Sequence, residues 1–433
     1  MKKKLIATTS EHFNAVFQHK PEAVFLSPGR INIIGEHVDY NDGFVLPAAI
    51  NKYICFAVSV SETDECTLVA KDLNETYRFN WRDEIQPVDK MWVNYMLGVL
   101  HQLKERNFSL KGINIVFSST IPMGAGLSSS AALECGFGYV LNKLFHLGLS
   151  REEIALIGQQ AEHTFVGVKC GIMDQFASVF GKKNKVIKLD CTTLEHEYHA
   201  ADFKNYSLLL IDSNVKHTHL TSGYNTRREE VEAGLAIIQR RFPSVKTFRD
   251  CIEEQLIELQ EELGETLFKR CHFVVNEIRR VNEAVYALDR NNFEALGKLM
   301  FETHEGLSKE YAVSCEEVDF LVDFVKNEKQ VIGSRMMGGG FGGCSINLVE
   351  KGSEEALFEK ISQAYFEQFG IQLNRYKVKI AKGTTKVKTK INKKKKRQLH
   401  VNFNFASLRL CEKNTLCKVL IQTNILTVVI IRY

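Results

Sequence analysis

Pro122-Met123-Gly124-Ala125-Gly126-Leu127-Ser128-Ser129-Ser130-Ala131-Ala132 lies between two segments of different periodicity. Upstream, Ile113 to Phe117 is a short, apolar, strand-like run. Downstream, Leu133, Phe137, Val140, Leu141, Leu144 and Phe145 recur at helical spacing. The stretch is therefore a glycine-rich turn that feeds a helix start. Two glycines allow a tight turn and close backbone approach to a ligand. Three serines then stand where free N–H groups and the helix dipole favour an anion. Gly-x-x-x-x-Gly-Lys is absent, so this is no Walker A loop. Taken alone, the loop fits a phosphate site and a serine-capped helix equally.

Working outward, strand-like and helix-like segments alternate from residue 23 to about 380, without repeat or Pro/Ser linker, which makes the class mixed α and β. Val45 to Val60, Val186 to Leu189, Ser207 to Ile211 and Ser345 to Val349 read as strands. The capping box Ser150-Arg151-Glu152-Glu153 opens a helix expected to reach about Phe165, and Arg227 to Gly306 is almost wholly helical. A domain boundary is expected near residues 195 to 205.

The 433 residues carry a formal net charge of +4. From Lys382 onward there are 13 basic residues and one acid, a net of +12, so the body before it stands at −8 with 43 basic and 51 acidic groups. An acidic body argues against a nucleic-acid or anionic-membrane partner. No apolar run reaches the roughly 18 residues of a membrane span. Met1-Lys2-Lys3-Lys4 precedes too short an apolar segment for a signal peptide. Eleven cysteines with no Cys-x-x-Cys pair suit a reducing cytosol, so a cytoplasmic protein is expected.

A second loop, Gly338-Gly339-Gly340-Phe341-Gly342-Gly343, formally contains Gly-x-Gly-x-x-Gly, but Cys344 to Val349 follows as a strand rather than a helix. The dinucleotide reading fails on that context. Close backbone approach to a ligand and tight packing on another element both remain open. Arg30, Asn32, Glu36, His37 and Asp39 fall within ten residues among apolar neighbours, in Gly29-Arg30-Ile31-Asn32-Ile33-Ile34-Gly35-Glu36-His37-Val38-Asp39-Tyr40. Such a donor–acceptor set suits a polyhydroxylated ligand. A solvated hairpin at Asn41-Asp42-Gly43 is the plainer alternative, though it does not account for Arg30. Asp174, in Gly171-Ile172-Met173-Asp174-Gln175, is a lone carboxylate in a small and apolar run. A core ion pair explains it as readily as catalysis does.

These segments, with Arg335-Met336-Met337-Gly338 to Cys344, occur in order and together resemble the galactokinase family of the GHMP small-molecule kinases over roughly residues 11 to 383. The resemblance implies an α+β, two-lobed GHMP kinase fold with the active site in the cleft between the lobes. The N-terminal lobe would be residues 1–200, the C-terminal lobe 201–383, and 384–433 a basic extension outside the family pattern. Implied substrates are galactose and ATP, with magnesium, and a monomer is expected. By resemblance, Asp174 is the catalytic base or orients the anomeric hydroxyl, and Arg30 stabilises the phosphoryl group in flight. The loop Pro122 to Ala132 would hold ATP, and Ser130 and Glu162 the magnesium ion. Glu36, His37, Asp39, Gly171, Asp174 and Tyr224 would contact galactose, with Gly339 and Gly340 shaping the cleft. Lys169 stands where many relatives have Pro, and Met337 where Thr is common. An N-acetylgalactosamine kinase and a non-catalytic sugar sensor are the rivals. The signature Asn41 to Pro47 disfavours the first, and the intact Ser130-Ala131, Arg30 and Asp174 disfavour the second.

Overall fold

The computed structural model describes residues 2–216 and 220–388, together with the strands Cys417–Gln422 and Ile425–Ile430. Met1–Lys386 form one compact unit and Val387–Tyr433 another.

In the first unit the larger sheet has six strands: β1 (Ala23–Asn32), β3 (Pro47–Val60), β4 (Glu65–Ala70), β5 (Glu75–Asn80), β6 (Ile113–Ser119) and β13 (Thr385–Lys386). Their order is β13-β1-β3-β6-β4-β5, and only the β4–β6 pair is parallel. Alternation along β3 shows how the sheet is packed. Ile54, Phe56 and Val58 join Val93 and Leu97 of α2 (Met91–Glu105) and Phe137 of α3 (Ser129–Leu144). Ala57 instead meets Phe13 of α1 (Lys2–Phe17). The helices α4 (Arg151–Ala161) and α5 (Met173–Phe180) complete this half, together with a small sheet of β2 (Phe44–Val45), β7 (Lys185–Asp190) and β8 (His196–Ala200).

A second antiparallel sheet runs β10-β11-β9-β12, with β9 (Tyr206–Lys216), β10 (Val331–Met336), β11 (Gly342–Glu350) and β12 (Asn374–Lys377). Leu209 and Ile211 face α10 (Glu316–Lys326) and α11 (Glu354–Phe369). Leu208 and Leu210 lie with Leu296 and Met300 of α9 (Phe293–Glu305). The remaining helices are α6 (Leu220–Arg241), α7 (Glu253–Glu258) and the long α8 (Gln260–Asp289).

The Ser150 capping box forms in full: the Glu153 N–H donates to Ser150 Oγ at 3.1 Å and the Ser150 N–H to Glu153 Oε2 at 2.7 Å. Its helix ends sooner than expected, because Glu162–Val166 widens into a π-type turn, a form frequent at functional sites. The expected lobe boundary after residue 200 falls in the connection between β8 and β9.

Residues 384–386, expected in the extension, pack into the first unit. Thr384 is fully buried, its N–H donates to Ser178 O at 2.8 Å, and Lys386 pairs with Phe25 of β1. In the second unit, the apolar run from Val419 lies in a hairpin of β14 (Cys417–Gln422) and β15 (Ile425–Ile430). The basic run 393–397 and the alternation 399–405 lie outside the described residues.

Candidate active site

Strand β1 is interrupted by a bulge between Pro28 and Arg30. At Gly29 a Cβ would come 2.6 Å from Leu127 O, and the Arg30 N–H donates to that same oxygen at 3.2 Å, so the strand lies directly on the serine loop. The Arg30 side chain is buried, and each of its three nitrogens has a partner. Nε and Nη2 donate to Asp174 Oδ1 and Oδ2 at 2.6 and 2.7 Å, and Nη1 donates to Gly126 O at 2.5 Å. Burial alone would lower the guanidinium's pKa, but the charges of Asp174, Glu36 and Asp39 raise it, so Arg30 stays cationic. Asp174 begins α5 and keeps 27% of its side chain exposed. The core ion pair is real, and it opens onto a cleft.

That cleft has a volume of about 490 Å3 and is lined by both glycine-rich loops. The serine cap is not made: Ser128 sits at φ +56°, and its buried Oγ has no partner. An unpartnered hydroxyl beside a free helix start suits phosphate oxygens. Pro122, Gly124, Gly126, Leu127, Ser128, Ser129 and Ser130 line the cleft. Met123 projects to solvent at 68% exposure, and Ala125, Ala131 and Ala132 are buried behind the loop. The second glycine loop packs tightly on the first, and part of it lines the cleft. A Cβ on Gly126 would come 3.0 Å from Met337 O, so the loops pack backbone to backbone, while Gly339 and Gly340 line the cleft.

On the other side of Asp174 lie Glu36, His37, Asp39, Gly171 and Tyr224, all lining the cleft. Asn32 does not, and its buried side-chain amide has no partner. A Cβ on Gly171 would overlap the Asp39 carboxylate, which accepts from the Met173 N–H at 3.4 Å. Burial, with the charges of Asp174 and Glu36, pushes Asp39 up to about 7. His37 packs among tilted aromatic rings, 5.3 Å from Tyr224 and 5.0 Å from Tyr311 between centroids. Burial, with the charge of Arg227, pushes it down to about 3 and keeps it neutral.

Glu162 is buried at the head of the π-type turn and accepts from Gln175 Nε2 at 3.1 Å. Burial and the charge of Asp174 push it up to about 7, opposed by hydrogen bonds with Cys170, Glu134 and Ser130. Behind it, Glu134 of α3 is wholly buried, and its Oε1 has no partner. Burial makes both carboxyls hold their protons, which a divalent cation would displace, so the residues fit magnesium. Among the described residues no group of three or more His, Cys, Asp or Glu could hold a metal ion. A cation here would therefore draw its other ligands from phosphate and water.

Sequence reasoning missed the supports. Glu36 Oε1 accepts from Arg335 Nη1 and Nη2 at 3.1 Å each and from the Gly338 N–H at 2.9 Å. Arg335, with no exposed surface, also donates to the carbonyls of Asn32, Ile33 and Met336. From the opposite charge, Glu277 of α8 accepts the N–H groups of Gly35 and Glu36 at 2.7 and 3.2 Å. Arg335 stood inside a quoted motif. Glu277 had no local signal, being one acid on a long helix.

Three family models match: GHMP kinases N terminal domain over residues 94–182, Galactokinase galactose-binding signature over 11–60, and GHMP kinases C terminal over 284–368. Among curated proteins the chain is 42% identical over 363 residues to the galactokinase of Thermotoga neapolitana, covering 83% of this chain and 99% of that protein. It is 38% identical over 378 residues to that of Roseiflexus, covering 87% and 96%. Among solved structures, Lactococcus lactis galactokinase complexed with galactose superposes with a TM-score of 0.84 at 34% identity, covering 88% of this chain and 99% of that one. Methanococcus jannaschii mevalonate kinase, at 21% identity and TM-score 0.59, shares the fold.

Proposed function

This chain belongs to the galactokinase family of GHMP kinases, and from that premise we propose that it transfers the γ-phosphoryl of ATP to the anomeric hydroxyl of galactose, giving galactose 1-phosphate and ADP. The observation that carries the reading is the Arg30 fork. One guanidinium grips the Asp174 carboxylate through two donors and the phosphate-loop carbonyl of Gly126 through a third. Acceptor-side and donor-side chemistry thus meet at one residue.

Phosphoryl transfer has a loose transition state, in which positioning and charge neutralisation matter more than early deprotonation. Asp174 accepts the anomeric O–H and aims its oxygen along the line of transfer. Arg30, buried and cationic, neutralises charge on the phosphoryl oxygens as the bond to ADP lengthens. The N–H groups at the start of α3 and the Ser128 hydroxyl hold the ATP phosphates. Ser130 and Glu162 would hold magnesium, which when bound supplies charge neutralisation on the phosphates. Glu36, His37, Asp39, Gly171 and Tyr224 face the sugar from the other wall. The reading extends to a cytoplasmic monomer without nucleic-acid or membrane partners. Its support is the acidic body, and no helix among the described residues is long and apolar enough to cross a membrane.

The test is ADP release with ATP, magnesium and a panel of sugars. Turnover is expected with galactose and not with glucose or N-acetylgalactosamine. Preference for the N-acetyl sugar would overturn the substrate assignment.

A further inference from the structure

Arg30 and Asp174 stand on different elements, strand β1 and helix α5, 144 residues apart in the chain. The geometry of their fork therefore depends on how that helix is seated on that strand. One turn along α5 from Asp174, and on the same face, Ser178 is buried. β13 pairs with Phe25 and Leu26 of β1, and just past that pairing the Pro28 carbonyl accepts from Ser178 Oγ at 3.0 Å. Pro28 flanks the bulge before Arg30, and a bulge re-aims the side chain that follows it. A carbonyl can only accept, so the hydroxyl is the donor and the direction of this bond is fixed.

The chain's far end holds the same residue from behind. The last carbonyls of a helix have no partner within it. At the end of α5, the Ser178 carbonyl accepts from both the N–H and the Oγ1 of Thr384, at 2.8 and 3.0 Å. Val179 O accepts from Arg151 Nη1, and Gly181 O from the Gly383 N–H at 2.8 Å. Ser27 Oγ closes the group, 3.1 Å from Ser178 Oγ and 2.9 Å from Thr384 Oγ1. Ser27, Ser178 and Thr384 are all buried, and none lines the cleft. Apolar residues of the same shape would fill this space with little loss of stability. Three hydroxyls converging there, one of them bonded to the backbone ahead of Arg30, point to position rather than packing.

We propose that Ser178 is a positioning residue for phosphoryl transfer. It locks α5 against the bulge of β1, so that the Asp174 carboxylate and the Arg30 guanidinium meet at the angle the transfer needs, and Thr384 holds the helix in that seat. The proposal rests on the reading of Asp174 and Arg30 as the catalytic pair. Misplacing a reacting group by about 1 Å can cost about 100-fold in rate, so the effect falls on kcat rather than on affinity.

The test uses the full chain. Ser178→Ala removes the bond to Pro28 O and leaves the backbone bonds of α5 in place. Its kcat should fall about 10- to 100-fold, with the KM values for galactose and ATP within about twofold of wild type. In an Asp174→Asn background the same substitution should change the single-turnover rate by less than about twofold, because the group it positions is already gone. Ser27→Ala leaves the bond from Ser178 to Pro28 in place, and should keep the wild-type kcat even where its melting temperature falls. Ser178→Cys keeps a weaker donor, should fall between alanine and wild type, and serves if the alanine variant fails to fold. A Ser178→Ala enzyme with wild-type kcat overturns the proposal. So does a fall of equal size in the Asp174→Asn background, or one shared by Ser27→Ala. An Asp174→Asn single variant at the wild-type rate overturns the catalytic-pair reading, and the proposal with it, in a protein whose Ser178 is untouched. Turnover of another sugar in place of galactose overturns the substrate reading alone, and the same ratios are then read with that sugar.

Discussion

Asp39 gathers the electrostatics of one wall of the cleft into one carboxyl. It is pushed up from an ordinary 3.8 to about 7 by burial first and by Asp174 and Glu36 second. Between those two values the folded state holds a proton that the unfolded chain has released, so Asp39 makes stability fall as pH rises through that window and adds no further slope above it. Asp39→Asn removes the effect. The thermal midpoint of the variant relative to wild type should therefore climb from about pH 4 to pH 7 and then level off. His37 works in the opposite sense over part of the range, since its pKa is lowered, and for that reason the difference between variant and wild type is the quantity to measure. A pH-independent difference would contradict the assignment of the proton to Asp39. None of this was visible in the sequence, where Asp39 was one acid among several near a turn. Its environment is made by Gly171, 132 positions away, against which its carboxylate lies.

At the scale of elements, the turn Ile33 to His37 is held by two buried charges of opposite sign from the other lobe. Arg335 at the end of β10 grips carbonyls and Glu36, while Glu277 on α8 grips N–H groups. Neither is idle elsewhere, since Glu277 Oε2 also accepts from Arg280 Nε and Thr303 Oγ1 at 2.8 Å each. Breaking such a pair leaves a buried charge uncompensated, which costs about 3–5 kcal/mol. Arg335→Met should thus lower the unfolding free energy by about that amount in urea titration, whereas a loss below about 1 kcal/mol would mean that Glu36 finds another partner. What the sequence could read at this scale was local. The strand–loop–helix at Pro122, the capping box at Ser150 and the strand at Ser345 depend on neighbours in the chain, and all three formed. The clamp could not be read, because its partners lie some 240 to 300 residues apart and obey no period.

For the whole molecule, the chain returns to its beginning. β13 pairs with β1, Thr384 bonds Ser27 and Ser178, and the Gly383 N–H donates to Gly181 O at 2.8 Å. A break in family resemblance near Gly383 is therefore not the edge of the folded unit, which ends at Lys386. Protein shortened to end at Lys386 should keep full turnover and melting temperature. A chain that stops at Gly383 instead should melt lower, because the buried Thr384 bonds are lost. Equal melting of the two would show that these contacts contribute nothing. Charge belongs to the same scale: +4 is the sum of an acidic enzyme body and a basic extension, and it describes neither.

We propose that Asp174, held by Arg30, serves the chemistry rather than the fold. Single-turnover rates of Asp174→Asn, taken alongside its galactose Kd, test this directly. The rate should fall about a hundred- to ten-thousand-fold with sugar binding retained. A variant that binds galactose and transfers phosphoryl at the wild-type rate would contradict it.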